Sequence, residues 1–197
     1  MADAEKHTSC EYIVILAPAS DRYEGRVIKV GALAALILFV ALYWLNDWLY
    51  GVPLDPLLLL IEATAIGAAI SLLFGKINTL RRFLIPRWRM TAAVDTIAHS
   101  IFSEENVSLT KDRNAVLLYI SVLEGEVRLM PDVGVQQRVH DAKLGEIESH
   151  LANADQGDPT ELVITALREL AQCCKECFPL QDDDENELPD RPQIRLP

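Results

Sequence analysis

The chain has 197 residues, of which 50% are hydrophobic and 24% charged, and its formal net charge at pH 7 is −11. This length accommodates one soluble domain and a membrane element, and it excludes several independent domains. Acidic residues dominate after residue 92, where twenty-one acids stand against nine basic residues. We therefore expect no nucleic-acid partner for this part of the chain.

A β-branched apolar run close to the N-terminus, Glu11 to Pro18, predicts a buried strand that proline ends. One strand is not stable alone, so it must pair with strands encoded later in the chain. The residues before it have no basic start, and the first long apolar run begins too late for cleavage, so no secretory signal is expected.

Two long apolar runs follow, Val30 to Tyr50 and Leu57 to Gly75. At about 1.5 Å per residue, a helix over the first run is roughly 31 Å long, which matches the hydrocarbon core of a bilayer. The short connection Gly51 to Pro56 has the composition of a turn. Residues 27–76 therefore predict a transmembrane helical hairpin, with spans at about 30–50 and 57–75. The alternative is a hairpin buried in a soluble core.

Basic residues lie on both outer flanks of the predicted hairpin, while its turn has none. The positive-inside rule then predicts that both termini are cytoplasmic and that the turn faces outward. Aromatic and basic residues at the two ends of the spans are the predicted membrane-interface residues. They are Tyr43, Trp44, Trp48 and Tyr50 on the outer side, and Arg81, Arg82, Arg87, Trp88 and Arg89 on the inner side.

Small residues recur every fourth position along the second span and predict a helix-packing face. They are Ala63, Gly67, Ser71 and Gly75. The other hairpin arm, which offers Gly31 and Ala35, is one candidate partner, and a homodimer is the alternative; the pattern does not separate them. Glu62 lies about a turn and a half inside this span, and at that depth an interfacial position is favoured over a functional one.

The remainder of the chain alternates strand and helix signals. They predict a helix over Ala92 to Phe102, strands over Ala115 to Val122 and Glu126 to Met130, a helix over Val135 to Ala154, and a helix capped by Asp158 that ends near Phe178. The expected fold class is α/β, a small layered sheet-and-helix domain that the hairpin interrupts. Its first strand lies in residues 1–26, the remainder in 77–180, and an acidic proline-containing tail in 181–197.

The chain has four cysteines: Cys10, Cys173, Cys174 and Cys177. The spacing of Cys174 and Cys177 occurs in metal sites, but no further Cys or His nearby completes one. On a helix both would share a face with Ala166 and Leu170, so we expect small buried apolar groups.

Four segments resemble the TPM domain family, and in particular bacterial inner-membrane members with an inserted transmembrane pair. They are Thr8 to Pro18, Asp112 to Ser121, Glu124 to Val135 and Asn186 to Asp190. The resemblance covers most of the soluble part and implies a TPM-like fold. It also implies that an acid phosphatase or calcium-binding activity has to be considered.

Asp112, Glu124 and Asp132 are the candidate catalytic or calcium-binding residues, because they lie at predicted strand ends, where α/β sites usually form. The alternative is that they are solvated turn acids. No phosphate-binding loop, zinc-protease motif or cysteine-phosphatase loop is present in the sequence. We therefore expect a membrane-anchored binding or assembly module of unknown biochemical activity, with a lipid bilayer and a protein or second copy as partners. The alternative function is a calcium-assisted phosphoester hydrolase.

Overall fold

A computed structural model describes residues 8–49, 55–139, 141–153, 159–180, 188 and 192–195. Tyr50, most of the hairpin turn, the Asp158 cap and most of the acidic tail lie outside this part. The chain forms two compact units, Met1–Asp21 with Trp88–Pro197 and Arg22–Arg87.

In chain order the elements are β1 (Glu11–Ala17), α1 (Glu24–Leu49), α2 (Pro56–Lys76), α3 (Asn78–Leu84), α4 (Arg87–Glu104), β2 (Ala115–Ser121), β3 (Glu126–Pro131), α5 (Val133–Arg138), α6 (Asp141–Asn153), α7 (Pro159–Cys174) and β4 (Gln193–Ile194). A short 3-10 helix, Val107–Leu109, precedes β2.

The described strands form one sheet in the order β3-β2-β1-β4. β1 lies parallel to β2, from Glu11 opposite Ala115 to Ala17 opposite Ser121. β3 runs antiparallel to β2, as expected for two strands joined by a short turn at Gly125. The α/β fold class is confirmed, and the first strand pairs with a strand that lies beyond the inserted hairpin.

Helices cover both faces of the sheet. On one face α4 packs against Ile13 and Leu117 with its own Val94 and Ile101. On the other face α6 and α7 bury a larger cluster against β1, β2 and β3. Burial on both faces explains why β1 and β2 are nearly continuous apolar runs and do not alternate.

Two features of this unit differ from the sequence-based expectation. The single helix predicted over Val135 to Ala154 is two helices, because Val139 has an extended backbone with φ −95° and ψ 131° and ends α5. The predicted extended tail contains β4, which pairs with β1 in parallel and places the Arg195 N–H 2.9 Å from the Leu16 carbonyl oxygen. The sequence pattern did not reveal the break between α5 and α6, because the apolar periodicity continues across Val139.

The second unit contains α1, α2 and α3. α1 begins at Glu24, six residues before the predicted span at Val30, and α2 (Pro56–Lys76) is one residue longer at each end than its predicted span. Asp55 caps α2 by accepting a hydrogen bond from the Leu57 N–H at 2.9 Å. α1 and α2 are long and apolar enough to cross a bilayer. The short helix α3, which the sequence analysis did not predict, follows α2 directly.

Candidate functional site

An open cleft of about 550 Å³ runs along β3, the edge strand of the sheet. We call it the β3 cleft. Its floor is Arg128 to Pro131, one wall comes from α4, and the other comes from α5 and α6. Three carboxylates, Asp95, Asp132 and Glu148, line it together with two guanidinium groups, Arg113 and Arg128, and with His99. The cleft is thus a charged groove alongside the edge strand.

Arg128 is the centre of the charge network in this cleft. Its guanidinium donates to Asp95 Oδ1 at 2.5 Å and to Glu126 Oε2 at 2.8 Å, and it lies 3.6 Å from Glu148 Oε1. Asp95 is on α4 and Glu148 is on α6, so one arginine connects helices on opposite faces of the sheet. Burial raises the pKa of the Glu148 carboxyl, although Arg128 and a hydrogen bond from the Leu129 N–H act in the opposite direction.

A second ion pair lies at the end of the cleft where β3 stops. Arg113 donates to both oxygens of Asp132, at 2.6 and 2.8 Å, and Asp132 also caps α5 through the Val133 N–H. Asp132 is buried, whereas about half of the Arg113 side chain is exposed. Arg113 has a left-handed backbone with φ 55°, and α5 approaches its carbonyl so closely at Gly134 that a Cβ there would lie 2.5 Å away. The backbone around Arg113 and the first turn of α5 beside Asp132 therefore position the two side chains of this ion pair.

A buried polar cluster, which we call the Glu124 cluster, lies at the opposite end of β2. Glu124 accepts a hydrogen bond from the Ser20 N–H at 3.0 Å and another from the Ser121 hydroxyl. The Ser20 hydroxyl lies 2.8 Å from both the Tyr119 hydroxyl and Ser121 Oγ. Burial raises the pKa of Tyr119, which keeps its hydroxyl protonated. This cluster joins the segment after β1 to the end of β2.

The structure does not bring the three candidate acids into one site. Asp112 and Asp132 lie at the end of the sheet where β2 begins, whereas Glu124 follows the other end of β2. Seven residues of strand separate these ends by roughly 20 Å, so one calcium ion cannot bind all three. Asp132 and Glu124 are also buried and hydrogen-bonded, so they are not solvated turn acids; Asp112 is exposed.

Cys174 is buried in the apolar core as expected, whereas Cys177 lies in the turn after α7 and is half-buried, because the helix ends at Cys174 and not near Phe178. Cys10 and Cys174 are fully buried, and Cys173 and Cys177 pack against the same cluster. The hydrogen bond that the Cys10 thiol donates to Cys174, together with burial, raises the pKa of Cys10, so this thiol is protonated at neutral pH. Within the described ranges no group of three or more His, Cys, Asp or Glu residues is placed to hold a metal ion.

The small-residue face of α2 packs against α1. Ala63 and Gly67 are buried, the Ser71 hydroxyl donates to the Val27 carbonyl oxygen at 3.2 Å, and Gly67 meets Ala35. Gly75, at the end of the ladder, is in looser contact with α1. Within this chain the small residues contact the other hairpin arm, and the homodimer stays a prediction. Glu62 lies away from this face and is exposed.

The predicted membrane-interface residues are largely exposed. Trp44 and Trp48 near the end of α1 are 71% and 81% exposed. Within the hairpin unit, Arg81 donates to the Arg22 carbonyl oxygen at 2.7 Å, while Arg82 and Arg87 are exposed. In the other unit Trp88 is 70% exposed, and Arg89 lies 3.7 Å from Asp21.

Comparison with known proteins gives one structural likeness. The chain matches the NMR structure of the BA42 protein from the psychrophilic bacterium Bizionia argentinensis with a TM-score of 0.56 and 17% identity, over 98% of this chain and 86% of that chain. The likeness is one of fold. No family model matches the chain, and no curated protein does. The comparison supports a small α/β domain and carries no activity with it.

The sequence analysis missed the β3 cleft, although it identified Asp132. Glu126 and Arg128 occupy alternate positions of β3, which was a readable sign of a polar face. Asp95 and Glu148 were not separable from other helix-surface acids, because only the packing of α4 and α6 brings them to Arg128.

Proposed function

We propose that the chain is an integral membrane protein in which the α1–α2 hairpin anchors a TPM-like domain, and that this domain is a binding or assembly module facing the cytoplasm. The anchor, the orientation and the binding role each rest on a separate observation.

The proposal that the hairpin is a membrane anchor rests on its outward-facing side chains. Large apolar side chains point away from the helix–helix contact on both α1 and α2, and they are more than 40% exposed. They include Leu33, Leu36, Ile37 and Val40 on α1 and Leu58, Ile61, Ile66 and Leu72 on α2. An exposed apolar surface of this extent is unfavourable in water, and it is favourable in the hydrocarbon core of a bilayer. The small residues that permit close packing face inward, as in membrane helix pairs.

The orientation follows from the ends of the hairpin. Arg22 precedes α1, and Arg26 and Lys29 lie in its first turns. Lys76 is the last residue of α2, and the arginines of α3 follow it. Basic residues are enriched on the cytoplasmic flanks of membrane spans. Each basic group near an anionic lipid surface would contribute about 1 kcal/mol to membrane binding. The turn between the helices has no basic residue in the sequence.

A binding module accounts for the soluble domain better than a hydrolase does. A calcium-assisted reaction needs carboxylates that converge on one ion, whereas the candidates lie at opposite ends of β2. The Asp132 carboxylate already accepts hydrogen bonds from Arg113 and from the N-terminus of α5. The β3 cleft, by contrast, is an open charged groove beside an edge strand. The fold likeness and the four resembling segments support a TPM-like domain.

The membrane assignment is tested by washing membranes that contain the full chain with alkaline carbonate. We expect the chain to stay in the pellet and to leave it only with detergent. Release by carbonate would overturn the anchor.

The orientation is tested by reporter fusions at the C-terminus and after Pro53. A reporter that is active only in the cytoplasm should be active at the C-terminus and silent after Pro53. The reverse pattern would place the soluble domain outside.

A further inference from the structure

We propose that the β3 cleft binds an extended, positively charged segment of a partner protein, which adds to the sheet as a new strand beside β3. This inference rests on the proposed binding role of the soluble domain and names its kind of partner.

One side of the β3 backbone pairs with β2. Among the described residues no other strand pairs with β3, and its second side faces the cleft. In an antiparallel pair, residues alternate between those whose N–H and C=O groups meet the partner strand and those whose groups point outward. The Asp132 N–H donates to the Ala115 carbonyl oxygen at 2.9 Å, so by this alternation Arg128 and Met130 face β2, whereas Val127 and Leu129 belong to the outward set.

Side chains of the same domain cover this outward edge. Arg128 donates to the Val127 carbonyl oxygen at 2.9 Å, and Glu148 lies 3.6 Å from the same guanidinium group. An amide of an added strand would take the place of the Arg128 donor, and its carbonyl would accept from the Leu129 N–H. Glu148 and Arg128 thus cover the edge in the unbound domain, as charged side chains commonly do at sheet edges.

The cover is exchangeable because Glu148 is held weakly. Its carboxylate is 3.6 Å from Arg128, which is longer than the other two ion pairs of that arginine, and about a third of the side chain is exposed. Desolvation in the cleft raises the pKa of Glu148, which means that its charged form is poorly solvated there. Movement of the side chain out of the cleft therefore improves the solvation of its carboxylate. Exchange of a side-chain hydrogen bond for a backbone one leaves no polar group unpaired.

The charge of the cleft selects a cationic segment. Three carboxylates line the cleft against two guanidinium groups, and the latter already pair with Asp95, Asp132, Glu126 and Glu148. Glu148 makes the longest ion pair of Arg128, so its carboxylate is the one best placed to accept another cation. A lysine or arginine on the added strand supplies one, whereas an acidic segment would meet like charges. Strand addition gives affinity through the backbone, and this pairing gives specificity.

The full chain in phosphatidylcholine nanodiscs provides the test, since a neutral lipid does not itself attract a cationic peptide. The probe is a labelled peptide of alternating Lys and Thr, and its control carries N-methyl groups on alternate backbone nitrogens. We expect the control to bind at least about tenfold more weakly, because it keeps the charge and loses the backbone donors. Hydrogen exchange should slow in Glu126–Pro131 with the probe alone.

Charge selection is tested by Glu148→Gln, with Glu146→Gln on the exposed side of the same helix as the matched control. Loss of the Glu148 charge should weaken binding of the Lys–Thr peptide about fivefold, and the control should bind as the wild type does. A Glu–Thr peptide should bind weakly to every form.

Equal binding of the methylated and unmethylated peptides would overturn strand addition, as would protection confined to another segment. Protection of β3 that depends on protein concentration without peptide would assign the edge to a second copy and overturn the proposed partner. These outcomes leave the carbonate and reporter results unaffected, so a failure here is distinguishable from failure of the membrane proposal.

Discussion

Gly31 and Gly67 lie so close across the hairpin that neither position accepts a side chain. A Cβ on Gly67 would be 2.6 Å from the Gly31 carbonyl oxygen, and a Cβ on Gly31 would be 2.5 Å from the Gly67 carbonyl oxygen. In lipid, where apolar burial gives little driving force between helices, such close backbone contact allows dispersion and weak polar interactions to hold them together. This contact is the structural basis of the α1–α2 pair.

Substitution of Gly67 by Leu should separate the two hairpin helices locally. We expect a loss of about 1 to 3 kcal/mol in unfolding free energy, the usual range for overpacking. Tryptophan fluorescence during a titration with denaturing detergent measures it. Ala68→Leu adds the same side chain on an exposed face of the same helix and should leave the transition unchanged. Equal effects of the two substitutions would show that the contact does not hold the hairpin together.

Among the acidic residues of the β3 cleft, Asp132 should contribute most to the unfolding free energy. Asp132→Ala removes two hydrogen bonds from Arg113 and the cap of α5, and should cost roughly 2 to 4 kcal/mol in unfolding free energy. Asp112→Ala, on the exposed turn nearby, should cost less than about 0.5 kcal/mol. Thermal unfolding of both variants measures the difference, and a small loss with Asp132→Ala would contradict the assignment.

Glu148 should make the stability of the soluble domain depend on pH. Burial raises its pKa in the folded state, so the folded domain binds this proton more tightly than the unfolded chain. Its contribution is then fully present below the unfolded pKa and is lost as the pH rises through the higher folded value. Glu148→Gln should therefore raise the melting temperature at pH 7 and have no such effect at pH 4. A stabilisation that is the same at both pH values would contradict this origin.

The purified chain should not hydrolyse phosphoesters when calcium is added, because Glu124 and Asp132 cannot share an ion. An assay with a chromogenic phosphate ester, with and without calcium, measures this. Calcium-dependent hydrolysis that Asp112→Asn or Asp132→Asn abolishes would restore the hydrolase alternative. Hydrolysis that both variants retain would point to a contaminating enzyme.

The sequence by itself determined the elements that depend on local patterns. The two apolar runs gave α1 and α2, the β-branched runs gave β1 and β2, and the acidic balance argued against nucleic acid. These signals are readable because composition and periodicity act over neighbouring residues. That β1 pairs with a strand encoded later also followed, since one isolated strand is not stable, whereas its partner β2 and the parallel direction came from the structure.

Only the tertiary structure decided what depends on residues far apart in the chain. It separated Glu124 from Asp132, directed the small residues of α2 onto α1, added β4 to the sheet and ended α5 at Val139. It also assembled the β3 cleft from α4, β3, α5 and α6. The physical reason is that each of these depends on long-range packing, and local propensity does not specify which distant surfaces meet.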